Sequence, residues 1–280
     1  PVFRGGSTVA DIRRARERIQ AQETLFSATV QDILLASATA YVDVLTTEGI
    51  WDLNKQNESR LQSQLDAEQE KFAVGQSTKT DVNQAEARLA RAKADRVNAY
   101  ADLTTAKAEY LRLTGELFPA SAEDYLPRWD LPVPATPQEA LKIAVESAPE
   151  LIATEHIALA ADHDVRRVWG ELLPQVDLVA STSRARGQSP FADDVIEREF
   201  LLTFDLPIYQ GGEIRARKNQ AEEIASQRRI NVQSARRNLE RTVTDLWQRY
   251  QSSLIEIEAL DSQVKAAEIA LNGVREEARV

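Results

Sequence analysis

The side chains that could do chemistry are few, and the two histidines come first. His156 and His163 are the only histidines of the 280-residue sequence, and Glu155, Asp162 and Asp164 lie beside them. Imidazole and carboxylate groups are ordinary zinc ligands. On a helix, however, seven residues separate the two rings by about 10 Å along the axis, which is too far for one metal ion. We therefore predict no metal site and no cofactor.

A basic run is the next cluster that could suggest a ligand. It contains Arg13, Arg14, Arg16 and Arg18, but the whole chain has 34 basic and 44 acidic residues and a formal net charge of −10. Phosphate binding requires a net basic surface, so we predict a solvated or interprotomer helix face and no nucleic-acid partner. The sequence also lacks a glycine-rich phosphate loop, a Ser/His/Asp arrangement and a nucleophile elbow. We therefore predict that the protein is not an enzyme.

The composition limits the class of protein further. With 43% hydrophobic and 28% charged residues, the chain has the composition of an ordered protein. It contains no cysteine, which excludes disulfides, thiolate metal sites and a cysteine nucleophile. A chain without methionine that begins at Pro1 is expected to be a processed or partial polypeptide. No uninterrupted apolar run reaches about 18 residues, so we predict no membrane-spanning helix.

The first long element is a helix over residues 7–73. This stretch contains no proline and is rich in Ala, Gln, Glu, Arg and Leu, which are good helix formers. As one helix it would be about 100 Å long. It breaks at residues 74–81, where Gly75 suits a helix C-cap and Thr80 or Asp81 suits the next N-cap.

A second helix is predicted over Val82–Thr114, stopped by Gly115. Its apolar residues recur at alternating steps of three and four, which is the seam of a left-handed coiled coil. Arg96 interrupts one of its two registers. We predict two antiparallel helices joined by a short turn. The seam comprises Val82, Ala85, Leu89, Ala92, Ala99, Leu103, Ala106, Tyr110 and Leu113.

A proline-rich loop over residues 116–137 separates this hairpin from shorter helices. Thr136 followed by Pro137 is a good helix start. We expect a helix or a helix pair over residues 138–172, with a possible interruption at Pro149.

After Pro174 the apolar period changes to two, which indicates strands. We predict a β-hairpin whose polar loop spans about residues 184–198 and includes Gly187 and Pro190. In its second strand Thr203, Asp205 and Tyr209 point to one side. The apolar residues Phe200, Leu202, Phe204, Leu206 and Ile208 point to the other.

The last element is a long helix over Glu213–Val280 with the most regular seam of the sequence. Only Ser253 is polar among its twelve positions. The seam comprises Leu239, Val243, Leu246, Tyr250, Ser253, Ile257, Leu260, Val264, Ala267, Leu271, Val274 and Ala278.

The sequence contains an internal repeat with an offset of 206 residues. Residues 1–6 (PVFRGG) match residues 207–212 (PIYQGG), and the same offset pairs Val74 with Val280. We therefore predict that Val280 lies at the tip of a second helical hairpin. Carried back by the offset, the last seam predicts a more polar one in the first helix. It comprises Ile33, Ser37, Ala40, Val44, Thr47, Trp51, Asn54, Glu58, Leu61, Leu65, Glu68 and Phe72.

Three segments together resemble the TolC family of outer membrane efflux factors. Residues 72–82 (FAVGQSTKTDV) are similar to the family's hairpin tip, residues 111–115 (LRLTG) end the returning helix, and residues 207–212 form the strand exit. The resemblance implies a mainly α fold with a transmembrane β-hairpin. Long antiparallel coiled-coil helices would form an α-barrel tunnel, and each protomer would give four strands to a trimeric twelve-stranded β-barrel.

The resemblance also implies a division of the chain. The parts are the end of a first-repeat strand (1–6), a long periplasmic hairpin (7–115), a loop with shorter equatorial helices (116–172), the barrel β-hairpin (173–210) and the second-repeat long helix (211–280).

The resemblance implies a cellular setting and partners. The protein would be a homotrimer in the outer membrane of a Gram-negative bacterium, extending into the periplasm. It would work with a periplasmic adaptor (membrane fusion) protein and an inner-membrane pump or ABC exporter. The function would be tripartite drug efflux or type I secretion. A soluble coiled-coil scaffold or adaptor protein is the alternative, and the alternating hairpin distinguishes the two.

Residue roles follow from this setting. Phe200, Leu202, Phe204, Leu206 and Ile208 would face lipid, and Thr203 and Asp205 would face the lumen, where Asp205 either solubilises the wall or selects ions. Gly75 and Asp81 end and cap helices. The tip residues Gly75, Gln76, Ser77, Thr78, Lys79 and Asp81 would in addition dock the adaptor protein.

Overall fold

The computed structural model describes residues 1–119, 133–189 and 192–277. The chain divides into two compact units, one of Pro1–Ala28 with Pro132–Val280 and one of Thr29–Leu131. The elements in chain order are β1 (Phe3–Arg4), α1 (Ser7–Ala73), α2 (Lys79–Thr114), α3 (Pro137–Ser147), α4 (Pro149–Gly170), β2 (Gln175–Ser189), β3 (Ala192–Asp205) and α5 (Glu213–Glu277).

The unit Thr29–Leu131 is a helical hairpin whose buried stripe follows the predicted heptads. In α2 the buried residues are Ala85, Leu89, Ala92, Ala99 and Leu103. Leu65 of α1 forms a cluster with Ala85 and Leu89. The seam predicted for α1 from the repeat is confirmed from Ser37 to Glu68, where every position is buried or half-buried. Its two end positions, Ile33 and Phe72, are exposed.

Two ion pairs join α1 to α2 in this hairpin. Arg96, which interrupts the α2 heptad, forms an ion pair with Glu58 of the α1 seam. Nearer the other end, Nζ of Lys107 lies 3.2 Å from Oε1 of Glu48. The break in the heptad thus places one basic side chain opposite one acidic side chain.

In the other unit, α3 and α4 pack against α5, and small residues make the contacts close. Ala153 and Ala160 of α4 and Ala221 and Ala225 of α5 are buried. The interruption predicted at Pro149 is confirmed, because α3 ends at Ser147 and Pro149 opens α4.

The sheet is antiparallel, with strand order β1-β2-β3. The β2–β3 pairing runs from Gln175 opposite Asp205 to Ser189 opposite Ala192. The prediction of a polar loop over residues 184–198 was wrong, since both strands continue through it. Ladder hydrogen bonds come from the backbone, so polar side chains do not end a strand. The predicted loop proline, Pro190, lies outside the described residues.

The internal repeat is confirmed by geometry. Helix α1 begins at Ser7 and α5 begins at Glu213, which reproduces the offset. Both helices follow a pair of glycines with positive φ, 54° and 78° at Gly5 and Gly6, and 60° and 85° at Gly211 and Gly212. The predicted tip at Val280 lies outside the described residues.

The regular seam of α5 is exposed from Leu246 to the end of the described residues. Leu239 and Val243 are half-buried, whereas every α5 residue from 251 to 277 is exposed. Ile257 and Val274, for example, are 64% and 62% exposed.

Helix α1 is long and apolar enough to span a membrane by length and composition alone. It contains an 18-residue window with a mean hydropathy of 1.3, of which 11% is buried. The prediction of no membrane-spanning helix used a stricter criterion, because it required an unbroken apolar run. A window average also accepts small residues and isolated charges.

Candidate functional site

The first candidate site is the tip between α1 and α2. Gly75 has a φ of 76°, a left-handed conformation that favours glycine. Its N–H donates to the carbonyl of Phe72 at 3.0 Å, and the N–H of Gln76 donates to the carbonyl of Lys71 at 2.8 Å. These bonds satisfy the last carbonyls of α1, so Gly75 ends the helix as predicted.

A reciprocal capping box opens α2. The backbone N–H of Asp81 donates to Oγ1 of Thr78 at 3.2 Å, and the backbone N–H of Thr78 donates to Oδ2 of Asp81 at 3.0 Å. The prediction that Thr80 or Asp81 is the N-cap was wrong, because a box that starts at Thr78 satisfies two N–H groups at once. Hydrogen bonds from the hydroxyl and backbone of Thr78 lower the pKa of Asp81.

The tip is also tied to the last turns of α1. Oγ of Ser77 donates to Oε2 of Glu68 at 3.0 Å, and Nζ of Lys71 lies 2.9 Å from Oε1 of the same carboxylate. Hydrogen bonds from Lys71 and then Ser77 lower the pKa of Glu68. This network fixes the loop to the helix that precedes it.

The six residues predicted to dock a partner all lie at this tip. Ser77 is half-buried, and the other five are exposed. Beside them the structure exposes two large apolar side chains, Phe72 at 48% and Val74 at 70%. Sequence reasoning used these two residues only as motif positions. The readable signal was their place beside the turn at Gly75, where α1 ends.

The second candidate site is the ribbon of β2 and β3. One face carries three cross-strand pairs in succession, Val176 with Phe204, Leu178 with Leu202, and Ala180 with Phe200. Leu178, Phe200, Leu202 and Phe204 are 56–78% exposed. We call these six residues the apolar band.

The opposite face of the ribbon is more polar. Thr203 lies opposite Asp177, and Glu199 lies opposite Ser181. Thr203 is half-buried and Asp205 is exposed. The side chains alternate as predicted from Phe200 to Asp205, except that Leu201 opposite Val179 adds an exposed apolar pair to the more polar face.

Three of the predicted strand residues lie beyond the strand. Since β3 ends at Asp205, the prediction that Leu206, Ile208 and Tyr209 belong to it was wrong. Pro207 has no N–H to donate to a ladder. Leu206 and Ile208 are nevertheless exposed, at 48% and 92%.

A charged cleft of about 790 Å³ lies where the sheet meets the helices of the same unit. Its charged lining consists of Arg4, Asp11, Arg167, Glu171, Asp205 and Arg217. The cleft thus balances three guanidinium groups against three carboxylates. Of these residues the sequence had singled out only Asp205. The spacing of four residues between Arg167 and Glu171 could have predicted their ion pair from the sequence. The contact with Arg217 could not be predicted in this way, because Arg217 lies on another element.

The acidic residues around the two histidines are ion-paired with arginines. Oδ1 of Asp162 lies 2.9 Å from Nη2 of Arg229, and Oε1 of Glu155 lies 3.6 Å from Nη2 of Arg236. The ring of His156 places Nδ1 at 2.7 Å from Oε2 of Glu17. Within the described ranges no group of three or more His, Asp or Glu residues could hold a metal ion.

Asp164 is held by two arginines. Its Oδ1 lies 2.6 Å from Nη1 of Arg14 and 2.8 Å from Nε of Arg167. Burial raises the pKa of Asp164, but the hydrogen bonds and charges of Arg167 and Arg14 together lower it by more. The pKa therefore lies below its ordinary value. Arg14 therefore departs from the predicted solvated or interprotomer face, while Arg13 and Arg16 are exposed.

The fold combines long helices with a β-ribbon that exposes an apolar band. These features define a helical protein with strands suited to a membrane. The chain belongs to the outer membrane efflux protein family, whose profile matches residues 1–116 and 140–280. The resemblance drawn from the motifs is thereby confirmed. The match favours the channel prediction over the soluble scaffold.

Named relatives agree with this assignment. The outer membrane efflux protein BepC of Brucella suis is 30% identical over 284 residues, which cover 100% of this chain and 61% of BepC. The outer membrane protein TolC of Escherichia coli is 26% identical over 265 residues, covering 90% of this chain and 54% of TolC. The chain therefore spans between about half and two thirds of the length of these relatives.

A solved structure shares the fold. The outer membrane protein VceC of Vibrio cholerae superposes with a TM-score of 0.71 at 17% identity, over 88% of this chain and 59% of VceC. The mainly helical architecture with a small sheet is thus shared with this solved outer membrane protein.

Proposed function

We propose that the polypeptide containing this chain is the outer membrane component of a tripartite efflux or type I secretion system. The observation that carries the proposal is the apolar band, which is solvent-exposed on a strand ribbon continuous with long helices. A soluble scaffold gains nothing from such a face. In lipid, by contrast, an outward apolar face is required of every barrel strand.

The ribbon also requires partners of its own kind. Open strand edges are not tolerated in the hydrocarbon core, because their N–H and C=O groups find no hydrogen-bond partner there. A two-stranded ribbon therefore needs closure by further strands. A homotrimer in which each protomer supplies four strands would close the barrel, and the internal repeat offers a second ribbon of the same type.

The two faces then receive separate roles. Phe200, Leu202 and Phe204 face lipid, and Thr203 and Asp205 face the lumen. Leu206 and Ile208 continue the apolar surface past the end of β3, toward the helices. Together these residues approach the length of about 9–11 residues that a barrel strand needs to cross a bilayer.

The long helices form the periplasmic part of the conduit. Large apolar side chains on α1 are exposed, among them Phe26 at 70%, Leu34 at 64% and Leu35 at 68%. Exposed apolar area of this kind marks a contact surface, and neighbouring protomers in an α-barrel would cover it. Energy for transport would come from an inner-membrane pump or ABC exporter, since the protein is not proposed to be an enzyme.

The tip between α1 and α2 would dock the periplasmic adaptor protein. Thr78, Asp81 and Ser77 hold the tip in shape through their hydrogen bonds. Gly75, Gln76 and Lys79 contribute exposed surface, and the apolar side chain of Val74 adds contact area beside them. An adaptor hairpin could therefore pack on a preformed surface.

The mass of the full-length protein tests the proposal first. We expect a trimer that stays in solution only with detergent and that conducts ions in planar bilayers. A monomer or dimer that is soluble in plain buffer would contradict the channel and favour the scaffold.

Site-specific photo-cross-linking in cells tests the docking role. A photoreactive residue at Gln76 is expected to cross-link to a periplasmic adaptor protein, identified by mass spectrometry. The matched control is Lys93, which is exposed on α2 away from the tip. The same product from both positions would contradict a specific contact at the tip.

A further inference from the structure

The charged cleft between the sheet and the helices contains two charges that the fold does not neutralise. The other four charged residues of its lining are ion-paired, namely Asp11, Arg167, Glu171 and Arg217. Among the residues that the structure describes, the side chains of Arg4 and Asp205 have no ion-pair or hydrogen-bond partner. One positive and one negative group of the lining are therefore available to a ligand.

The two free charges lie on one face of the sheet, on either side of Gln175. Arg4 lies opposite Gln175 in the β1–β2 ladder, and Gln175 lies opposite Asp205 in the β2–β3 ladder. Residues that are directly opposite in a ladder share a face of the sheet. Because neighbouring strands are about 4.8 Å apart, the Cα atoms of Arg4 and Asp205 are about 10 Å apart. The charges therefore flank the cleft and do not meet as a pair.

The fold does not require a charge at the position of Arg4. Gln210 is equivalent to Arg4 by the repeat offset of 206 residues, and both residues line the charged cleft. The backbone is alike at the two positions, since each is followed by two glycines with positive φ. A neutral side chain thus serves the same strand–helix joint in the second repeat, so the charge of Arg4 is left for another role.

We propose that the charged cleft binds a zwitterionic group, with its anionic end at Arg4 and its cationic end at Asp205. A guanidinium group matches a phosphate or a carboxylate in bidentate geometry, and a carboxylate accepts hydrogen bonds from an ammonium group. The first turn of α1, which adjoins Arg4, contains no acidic residue. Its free N–H groups add partial positive charge at the anionic end.

The size and charge of the cleft agree with such a ligand. Its volume of about 790 Å³ is that of a small-molecule pocket. Its three guanidinium groups and three carboxylates balance, so a simple anion or a simple cation gains no net attraction from the lining as a whole. Only a molecule that carries both charges can pair with Arg4 and Asp205 at the same time.

This charge pattern occurs in two kinds of molecule. One is a free amphoteric solute, and the other is the phosphoethanolamine headgroup of a phospholipid. The proposed position of Asp205 on the lumen face favours a solute that passes through the conduit. The binding site itself does not depend on the channel function, because it is defined by the residues of the cleft.

Isothermal titration calorimetry of the full-length protein in detergent tests the proposal. The probe is glycerophosphoethanolamine, which carries one phosphodiester and one ammonium group. Glycerol phosphate and ethanolamine represent its two halves. We expect the wild type to bind the whole probe at least about tenfold more tightly than either half, because each half leaves one charged contact unmade. Equal affinity for glycerol phosphate would overturn the zwitterion site.

Single substitutions then assign the two ends. R4Q and D205N should each weaken binding of the probe by about tenfold. R13Q and E197Q are the matched controls, since both residues are exposed and neither lines the cleft. They should bind the probe as the wild type does. Equal losses in the controls would mean that only the net charge of the protein matters, and would overturn the assignment.

A reversal of the two charges tests their joint action. In R4D/D205R both ends of the site remain charged, and a free zwitterion can bind in the opposite direction. The reversed variant should therefore bind glycerophosphoethanolamine more tightly than R4D alone. Affinity no better than that of R4D would contradict a site formed by the two residues together.

The remaining measurements identify the source of the ligand and keep this proposal separate from the channel. Phosphatidylethanolamine that displaces glycerophosphoethanolamine at equal concentration would assign the site to a lipid headgroup, whereas no displacement would assign it to solutes. A trimer that conducts ions but does not bind the probe would overturn this inference alone. A protein that binds the probe but does not conduct would overturn the channel alone.

Discussion

Arg217 of α5 and Glu171, which follows α4, form an ion pair of 2.8 Å between Nη2 and Oε2. The other carboxylate oxygen of Glu171 accepts a hydrogen bond of 2.8 Å from Nη1 of Arg167. One carboxylate therefore links the end of α4 to the first turns of α5, beside the sheet. The side chain of Glu171 is only 20% exposed, so these contacts are partly shielded from water.

Replacing this carboxylate is expected to weaken the contact between the end of α4 and the start of α5. Glu171→Gln should lower the free energy of unfolding by about 1–2 kcal/mol, because two guanidinium groups lose a negatively charged partner. Glu213→Gln is the matched control, since Glu213 approaches the same Arg217 at 3.6 Å but is 68% exposed. Its effect should stay below about 0.5 kcal/mol. Urea unfolding followed by circular dichroism measures both, and equal effects would contradict the shielded pair.

Two adjacent glycines at the first strand–helix joint should differ sharply in their tolerance of alanine. A Cβ at Gly5 would lie 2.2 Å from the carbonyl oxygen of Gly170 and 2.6 Å from Cβ of Leu173. A Cβ at Gly6 would meet nothing within 4 Å. Gly6→Ala should cost about 1–2 kcal/mol for its positive φ, and Gly5→Ala clearly more. Thermal unfolding compares the two, and similar midpoints would refute the close packing.

The ion pairs of Asp164 should make stability depend on pH in the acidic range. Its pKa lies below the ordinary value of 3.8, so the unfolded chain takes up the proton more readily than the native one. The stabilisation is present above the ordinary value and is lost as the pH falls through the lowered native pKa.

The variant Asp164→Asn isolates this contribution. The stability difference from the wild type should be constant between about pH 7 and pH 5 and should shrink below about pH 4. Denaturant titrations at each pH provide the measurement. A difference that grows on acidification has the wrong sign for a lowered pKa and would exclude this account.

The pair formed by Glu58 and Arg96 should be replaceable as a pair but not singly. Glu58→Leu or Arg96→Leu alone should cost about 1–2 kcal/mol, because each leaves one charge in a half-buried seam. The double variant should be close to the wild type or more stable. A double-mutant cycle measures the coupling. Additive losses would mean that the two side chains do not act together.

The capping box should matter more than its exposed neighbour. Thr78→Ala removes the acceptor for the first N–H groups of α2 and should cost about 1 kcal/mol. Lys79→Ala leaves the box intact and should change stability little. Hydrogen exchange of the first turn of α2 gives a local readout. Equal protection in both variants would assign no stabilising role to the box.

Much of the helical architecture could be predicted because its causes are local. The ends of α1 and α2 follow from Gly75 and Gly115, and the heptads specify which faces are buried. The start of α5 followed from the repeated strand exit, which reproduces the backbone geometry of Gly5 and Gly6. These features depend on residues close in sequence or on a pattern that the chain itself repeats.

The features that could not be predicted depend on pairing across long sequence distances. No local signal joins Arg217 to Glu171, or Glu17 to His156. The ribbon was predicted too short because its outer half has polar side chains, although its pairing depends on the backbone. The choice of Thr78 as the N-cap required weighing a reciprocal pair of hydrogen bonds against single candidates. Sequence reasoning located the tip but not the bonds that hold it.

The compact tip of the α1–α2 hairpin has a consequence for the order of folding. Leu65, Ala85 and Leu89 meet across a short loop, whereas Glu58 and Arg96 are 38 positions apart and Glu48 and Lys107 are 59 apart. The entropy lost on closing a loop rises with its length. We therefore expect the contacts near the tip to form first during folding. Each contact that forms shortens the loop that the next contact must close.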